Sequence, residues 1–279
     1  MNGKKISVAL TGGALALTAM VATAAAASTA PAASAASASR SAKLARPAAG
    51  ADQPKPTIVL VAGAFEDSSA WNGEIALLQR DGYPVIAPAV PLRGVASDAA
   101  YLTSVVRSID GPVVLVGHSY GGPLITEIAA NDSQQVKALV YAAAFIPKAG
   151  ETVNELDTQF PGSLLGPDTT YSIGTDTYVK PADFRALFAG DRTPARAAVA
   201  AATQRPVESS ALNEPAAAGV PAGIPVYAIV ASQDKAIPPA AERFEAQRAG
   251  ATISTVNSAH DLPTSHPATV TAVIERAAR

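Results

Sequence analysis

The chain contains no cysteine, which excludes disulfides, zinc–thiolate sites, iron–sulfur clusters and a thiol nucleophile. Charge is sparse: 16% of the 279 residues are Asp, Glu, Lys or Arg, and Lys+Arg 21 against Asp+Glu 23 leaves a net charge of −2. That balance offers no basic footprint for nucleic acid. Histidine is as scarce, with three residues, and no two lie at metal-ligand spacing; no Gly-rich dinucleotide fingerprint follows the first strand signal. Apolar residues are abundant, at 48%, too many for a disordered chain. The length suits a single α/β domain of roughly 200–250 residues with a sizeable core.

Charge is also unevenly placed. Residues 1–50 hold Lys4, Lys5, Arg40, Lys43 and Arg46 and no Asp or Glu. Lys4 and Lys5 precede an uncharged run from Ile6 to about Ala27, with small-x-small sites such as Ala22-Thr23-Ala24 and Ala33-Ser34-Ala35. A positive start, an apolar stretch and a small-residue cleavage site are the order of a secretory signal peptide. Thr11, Gly12, Gly13 and Thr18 dilute the run and disfavour a retained membrane anchor. Residues 1–27 therefore read as an export signal. Residues 28–56, rich in Ala, Ser and Pro without apolar periodicity, read as a disordered linker. The expected product is a secreted protein.

Beyond the linker, strand and helix signals alternate. Thr57–Ala62, Tyr83–Ala89, Pro112–Val116, Val136–Ala144, Pro225–Ala231 and Thr252–Val256 are short apolar, β-branched runs, as in strands buried on both faces. Helical spacing falls between them: Trp71–Arg80, a helix capped by Ser97 and running to about Ile109, Pro123–Ala130, Pro238–Ala249 and Pro267–Ala278. The alternation implies an α/β fold, a mostly parallel sheet with helices on both faces. Six parallel strands are expected and none before Thr57, because residues 40–56 are too rich in Pro and Ala. From Ile146 to about Gly223 the alternation breaks into Pro, Gly, Asp and Thr clusters and an Ala-rich helical stretch near Pro194–Thr203. This is the expected helical cap, inserted over about 146–223.

The chemistry-bearing motif is Gly117-His118-Ser119-Tyr120-Gly121, between a strand and a helix. A serine on so sharp a turn needs small neighbours two positions either side, and the turn lifts its hydroxyl above the carboxyl edge of the sheet. Three blocks, VLVAGAFEDSSAW (59–71), VVLVGHSYGG (113–122) and the tail pair ASQDKAIPP (231–239) and SAHDLPTSHP (258–267), resemble the α/β-hydrolase superfamily, in particular small bacterial esterase-like serine hydrolases. The resemblance runs from Thr57 to the end. It implies the chain order Ser, acid, His, met by Ser119, Asp234 and His260, and a cofactor-free, metal-free enzyme acting on a small-molecule ester. His118 adjoins the nucleophile and should point away from it, and His266 sits before a helix, so His260 is the expected base. Asp234 directly follows a strand, whereas Ala142-Ala143-Ala144-Phe145 offers no acid and Glu208 and Glu214 lie in the cap; Asp261 is the alternative.

Acyl transfer also requires two donors for the oxyanion. Tyr120, after the nucleophile, should supply one backbone N–H. The resemblance gives the other to the residue after a His-Gly pair; here the pair is Ala62-Gly63, so Ala64 is the match and the histidine is missing. Phe65, Trp71, Phe145 and Tyr120 are candidate apolar wall residues, with core packing the competing and favoured reading for each. Dehalogenases and epoxide hydrolases of similar sequence carry Asp at the elbow, which Ser119 excludes. Plant-type hydroxynitrile lyases carry Lys after the histidine and Thr in the first loop, where this chain has Asp261 and Gly63. Cofactor-free perhydrolase or haloperoxidase chemistry, C–C lysis and a dead, purely binding scaffold are the alternatives to ester hydrolysis.

The export reading predicts cleavage between about residues 22 and 40. Terminal sequencing of the protein from culture supernatant checks it, and an intact Met1 in the membrane fraction contradicts it.

Overall fold

A computed structural model describes residues 54–279. The expected export signal, and the expected linker up to residue 53, lie outside the described residues. The chain begins β1 (Thr57–Val61), α1 (Asn72–Arg80), β2 (Val85–Ile86), α2 (Val95–Arg107), β3 (Val113–Ser119), α3 (Gly121–Asn131) and β4 (Val136–Ala144). The insertion follows, with α4 (Val153–Thr158), β5 (Thr170–Ile173), β6 (Asp176–Val179), α5 (Pro181–Leu187), α6 (Pro194–Thr203) and β7 (Val207–Glu208). The alternation then resumes with β8 (Val226–Ala231), α7 (Pro239–Arg248), β9 (Thr252–Val256), α8 (Leu262–Ser265) and α9 (Pro267–Ala277).

Six strands form one parallel sheet in the order β2-β1-β3-β4-β8-β9. Every residue of β1 and β3 is buried, because helices cover both faces, which is why these strands read as unbroken apolar runs. The chain leaves β1 toward β2 on one side and returns to β3 on the other. That reversal opens a crevice at the carboxyl ends of β1 and β3, where α/β sheets place their sites.

Three sequence expectations change. The second strand is two residues rather than Tyr83–Ala89. It is an edge strand between Pro84 and Pro88, which lack the N–H that pairing requires. The second helix starts at Val95 behind Gly94, not at Ser97, whose hydroxyl instead donates back to the Gly94 carbonyl at 3.2 Å. The insertion is not purely helical: β5, β6 and β7 form a separate antiparallel sheet. Its first hairpin turns at Gly174-Thr175, with Gly174 at φ 62°, a backbone region open to glycine at little cost. Among the described residues, no helix is long and apolar enough to cross a membrane.

Glu74 of α1 is wholly buried, and neither carboxyl oxygen has a hydrogen-bond partner. Burial pushes its carboxyl up from 4.5 to about 8, against lowering by its own backbone and by His118. The folded protein therefore holds a proton that the unfolded chain has already released above its ordinary value. The contribution to stability is complete below about pH 4.5 and is lost as pH rises toward 8. The loss is on the order of a few kcal/mol over that window. Glu74→Gln should flatten this slope, so that the variant gains on the wild type between pH 5 and pH 8. Urea denaturation across that range checks it, and parallel slopes for the two proteins contradict it.

Candidate active site

The site starts from a steric requirement at the end of β3. Ser119 has φ 51°, a left-handed backbone that costs a non-glycine residue about 1–3 kcal/mol unless its surroundings enforce it. Here they do. A Cβ on Gly117 would lie 2.6 Å from the Gly121 carbonyl oxygen, and one on Gly121 would lie 2.5 Å from the Val61 carbonyl oxygen. The two glycines let α3 start directly above β3 and against β1. β4 accommodates the turn with a bulge: His118 pairs with Ala142 and Ser119 with Ala144, leaving Ala143 unpaired at φ 43°.

The other two predicted groups arrive on the loops after β8 and β9. Asp234 Oδ1 accepts from the amides of Ala236 and Ile237 at 2.7 and 2.8 Å. Its Oδ2 lies 2.6 Å from His260 Nδ1. The carboxylate is thus fixed by two backbone donors and turned toward the imidazole, which receives a defined orientation. Among the described residues the buried His260 Nε2 has no hydrogen-bond partner, and His260 and Ser119 line one chamber. Asp261, the alternative acid, points elsewhere. Its Oδ2 lies 2.5 Å from Arg192, and burial raises its carboxyl to about 6 despite that cation. Behind Asp234, Glu242 of α7 accepts from the Ala231 amide at 3.1 Å. Burial, and then the charge of Asp234, push this carboxyl well above the ordinary range.

Ala64 and Tyr120 border the same chamber, and neither amide takes part in the hydrogen bonds of the surrounding turns. Without the histidine that usually precedes Gly63, the Ala64 loop is held in another way. Gly63 packs so closely that a Cβ would sit 2.7 Å from Ser119 Cβ. Glu66 bonds His118 Nδ1 at 2.8 Å, and Phe65, at φ 64°, meets Phe188 edge to face. Phe65 and Phe145 line the chamber and Trp71 does not. Trp71, just before α1, is fully buried in the core and meets the His118 ring edge to face. His118 points away from Ser119, with Nε2 2.9 Å from the His260 carbonyl. His266 precedes α9 and approaches Asp191 at 3.7 Å.

Several site residues carried no signal of their own. Leu187 and Phe188 of the insertion close the chamber, and Phe188 meets the His260 ring edge to face at 4.6 Å. The insertion is latched to the loop of His260 at four points. Asp191 accepts from Ser258 Oγ and the Ala259 amide at 3.0 and 3.1 Å, Phe188 accepts from the Asp261 amide at 2.9 Å, and Arg192 pairs with Asp261. Periodicity cannot reveal such contacts, because 67 or more residues of sequence separate the partners. The chamber itself is about 20 Å³ and is lined by no Asp, Glu, Lys or Arg side chain. Phe65 separates it from larger clefts of about 430 and 610 Å³.

Comparison with known proteins agrees with this architecture. Residues 58–273 match the profile of the alpha/beta hydrolase family, and the chain belongs to that family. A carbendazim hydrolyzing esterase from Nocardioides sp. (strain SG-4G) is 31% identical over 110 residues, 35% of this chain and 46% of that protein. A probable hydrolase, R7, from Phoma sp. (strain ATCC 20986 / MF5453) is 31% identical over 115 residues, 36% and 47% of the two chains. These matches therefore span less than half the length of either relative. The crystal structure of a pyrethroid hydrolase from Sphingobium faniae JZ-2 superposes with a TM-score of 0.67 at 20% identity, covering 80% of this chain and 97% of that one.

The crowding at the elbow predicts that Gly121→Ala forces α3 off β1 and costs about 1–3 kcal/mol of stability. Equilibrium unfolding in urea measures it, and an unchanged midpoint would contradict the steric account.

Proposed function

We propose that the protein is an exported serine hydrolase that cleaves carboxylic esters through an acyl-enzyme. The observation that carries this reading is a buried Asp234–His260 pair sharing one apolar chamber with a serine held in a strained strand-to-helix turn. A serine hydroxyl is a weak nucleophile until a base takes its proton. In this reading Ser119 Oγ attacks the ester carbonyl while His260 Nε2 accepts its proton. Asp234 holds the Nδ1–H tautomer and stabilises the imidazolium. The amides of Ala64 and Tyr120 stabilise the oxyanion, each worth about 3–4 kcal/mol in the transition state. His260 then returns the proton to the leaving alcohol. Water, activated by the same base, attacks the acyl-enzyme and frees the acid and Ser119.

The uncharged walls favour an apolar, neutral group around the scissile carbonyl. At about 20 Å³ the chamber has room for roughly one water, so an ester reaches Ser119 only when wall residues such as Phe65 or Phe188 shift. The names of the sequence relatives, an esterase and a hydrolase, support hydrolysis as the reaction class.

A fluorophosphonate probe should label Ser119 in the wild type and leave Ser119→Ala unlabelled; an unlabelled wild type overturns the reading. Asp234→Asn preserves shape but removes the charge and favours the wrong tautomer, so kcat should fall about 10³- to 10⁴-fold with folding intact. Steady-state ester hydrolysis beside a circular dichroism melt checks this. A folded, nearly fully active variant would remove Asp234 from its role.

A further inference from the structure

His118 lies beside Ser119 in sequence yet belongs to neither the nucleophile nor the chamber. Its ring is fully buried, and both nitrogens face acceptors. Nε2 is 2.9 Å from the His260 carbonyl oxygen, which can only accept, so Nε2 must carry a proton. Nδ1 is 2.8 Å from a carboxyl oxygen of Glu66, and a carboxylate there draws a second proton onto the ring. A doubly protonated ring is an imidazolium. Its centroid is 4.7 Å from that of the His260 ring.

We propose that His118 is a positioning residue: as a buried imidazolium clamped between Glu66 and the His260 carbonyl, it fixes the main chain of the base and opposes protonation of the base's ring. The inference rests on the proposed role of His260 and adds a group that does not touch substrate. Two like charges on adjacent rings disfavour each other, so the clamp favours the neutral His260 needed for proton abstraction. Every group packed around the clamp fits this arrangement. Glu66 comes from the loop after β1 and Glu74 from α1, the latter mostly neutral near pH 7. Asp261 comes from the loop after β9 and is paired with Arg192. Trp71 and Phe188 meet the His118 ring edge to face. Burial alone would strip the proton from His118, but the charge and hydrogen bond of Glu66, with the His260 carbonyl and Asp261, outweigh it and raise the ring to about 9.

The wild-type protein provides the first test, without substrate. It has three histidines, so nitrogen-15 spectra of histidine-labelled protein resolve each ring, and the signal missing from His118→Gln identifies His118. The ring should remain doubly protonated at pH 8; a neutral His118 tautomer at pH 7 overturns the proposal, and a wild type with no doubly protonated ring at pH 7 overturns it whether or not any variant folds. The second test is kinetic. In His118→Gln, which can still donate but carries no charge, the acidic limb of the kcat/KM profile should move up by about one pH unit. In His118→Phe, plateau kcat should fall roughly tenfold with KM within about twofold, since only the placement of the base is loosened. A folded His118→Gln with an unmoved acidic limb, in a protein whose wild type labels at Ser119, overturns this inference alone. A wild type that does not label overturns the proposed function and this inference with it.

Discussion

The contact between the first turn of α3 and the end of β1 sets the geometry of everything around the site. Gly121 approaches the Val61 carbonyl so closely that any side chain would collide with it. That approach lets α3 begin two residues after β3 turns, which forces Ser119 into a left-handed backbone. The strain does not relax, because the β3–β4 ladder on the other side, with its bulge at Ala143, and the close packing of Gly63 hold the turn. A site needing a hydroxyl clear of the sheet edge thus obtains it from backbone packing rather than from side-chain bonds. Such rigidity suits a group whose position must be kept within a fraction of an ångström.

Around that turn, burial governs the electrostatics. Asp234 is nearly inaccessible, yet its oxygens are satisfied by two amides and the His260 ring. Two other buried carboxyls have fewer partners: none for Glu74 among the described residues, and Ser163 Oγ for Asp157. Glu74 is raised to about 8 and Asp157 to about 7, chiefly by desolvation. Donors to a carboxylate stabilise its charge, while burial alone disfavours it. His118 and Glu66 solve the same problem as a pair, each supplying the partner that burial demands.

The insertion completes the site by attaching to it. Asp191, Phe188 and Arg192 bond to residues 258–261, so the loop carrying His260 is gripped from the insertion side as well as by His118 from below. His260 and its loop are therefore held by the insertion, by His118 and by Asp234. Phe65 and Phe188 serve both this support and the chamber wall, which couples access to Ser119 with the setting of His260.

The parallel sheet was legible in the sequence because strands buried on both faces carry an unbroken apolar run, and β4 and β9 match their predicted limits residue for residue. The elbow was legible because its steric demand leaves glycines at 117 and 121. Asp234 and His260 were legible as polar residues directly after strands. The two-residue β2 and the antiparallel sheet of the insertion were not, since an edge strand and a short hairpin carry no distinct local pattern. The same holds for the pairing of Glu66 with His118, of Arg192 with Asp261 and of Asp191 with Ser258. Local sequence alone determined where the buried strands lie and which residue types stand near their ends, because backbone sterics and burial act on neighbours in the chain. Only the tertiary structure decided which polar groups meet, because a buried charge or donor takes its partner from whatever the fold packs against it, however distant in sequence.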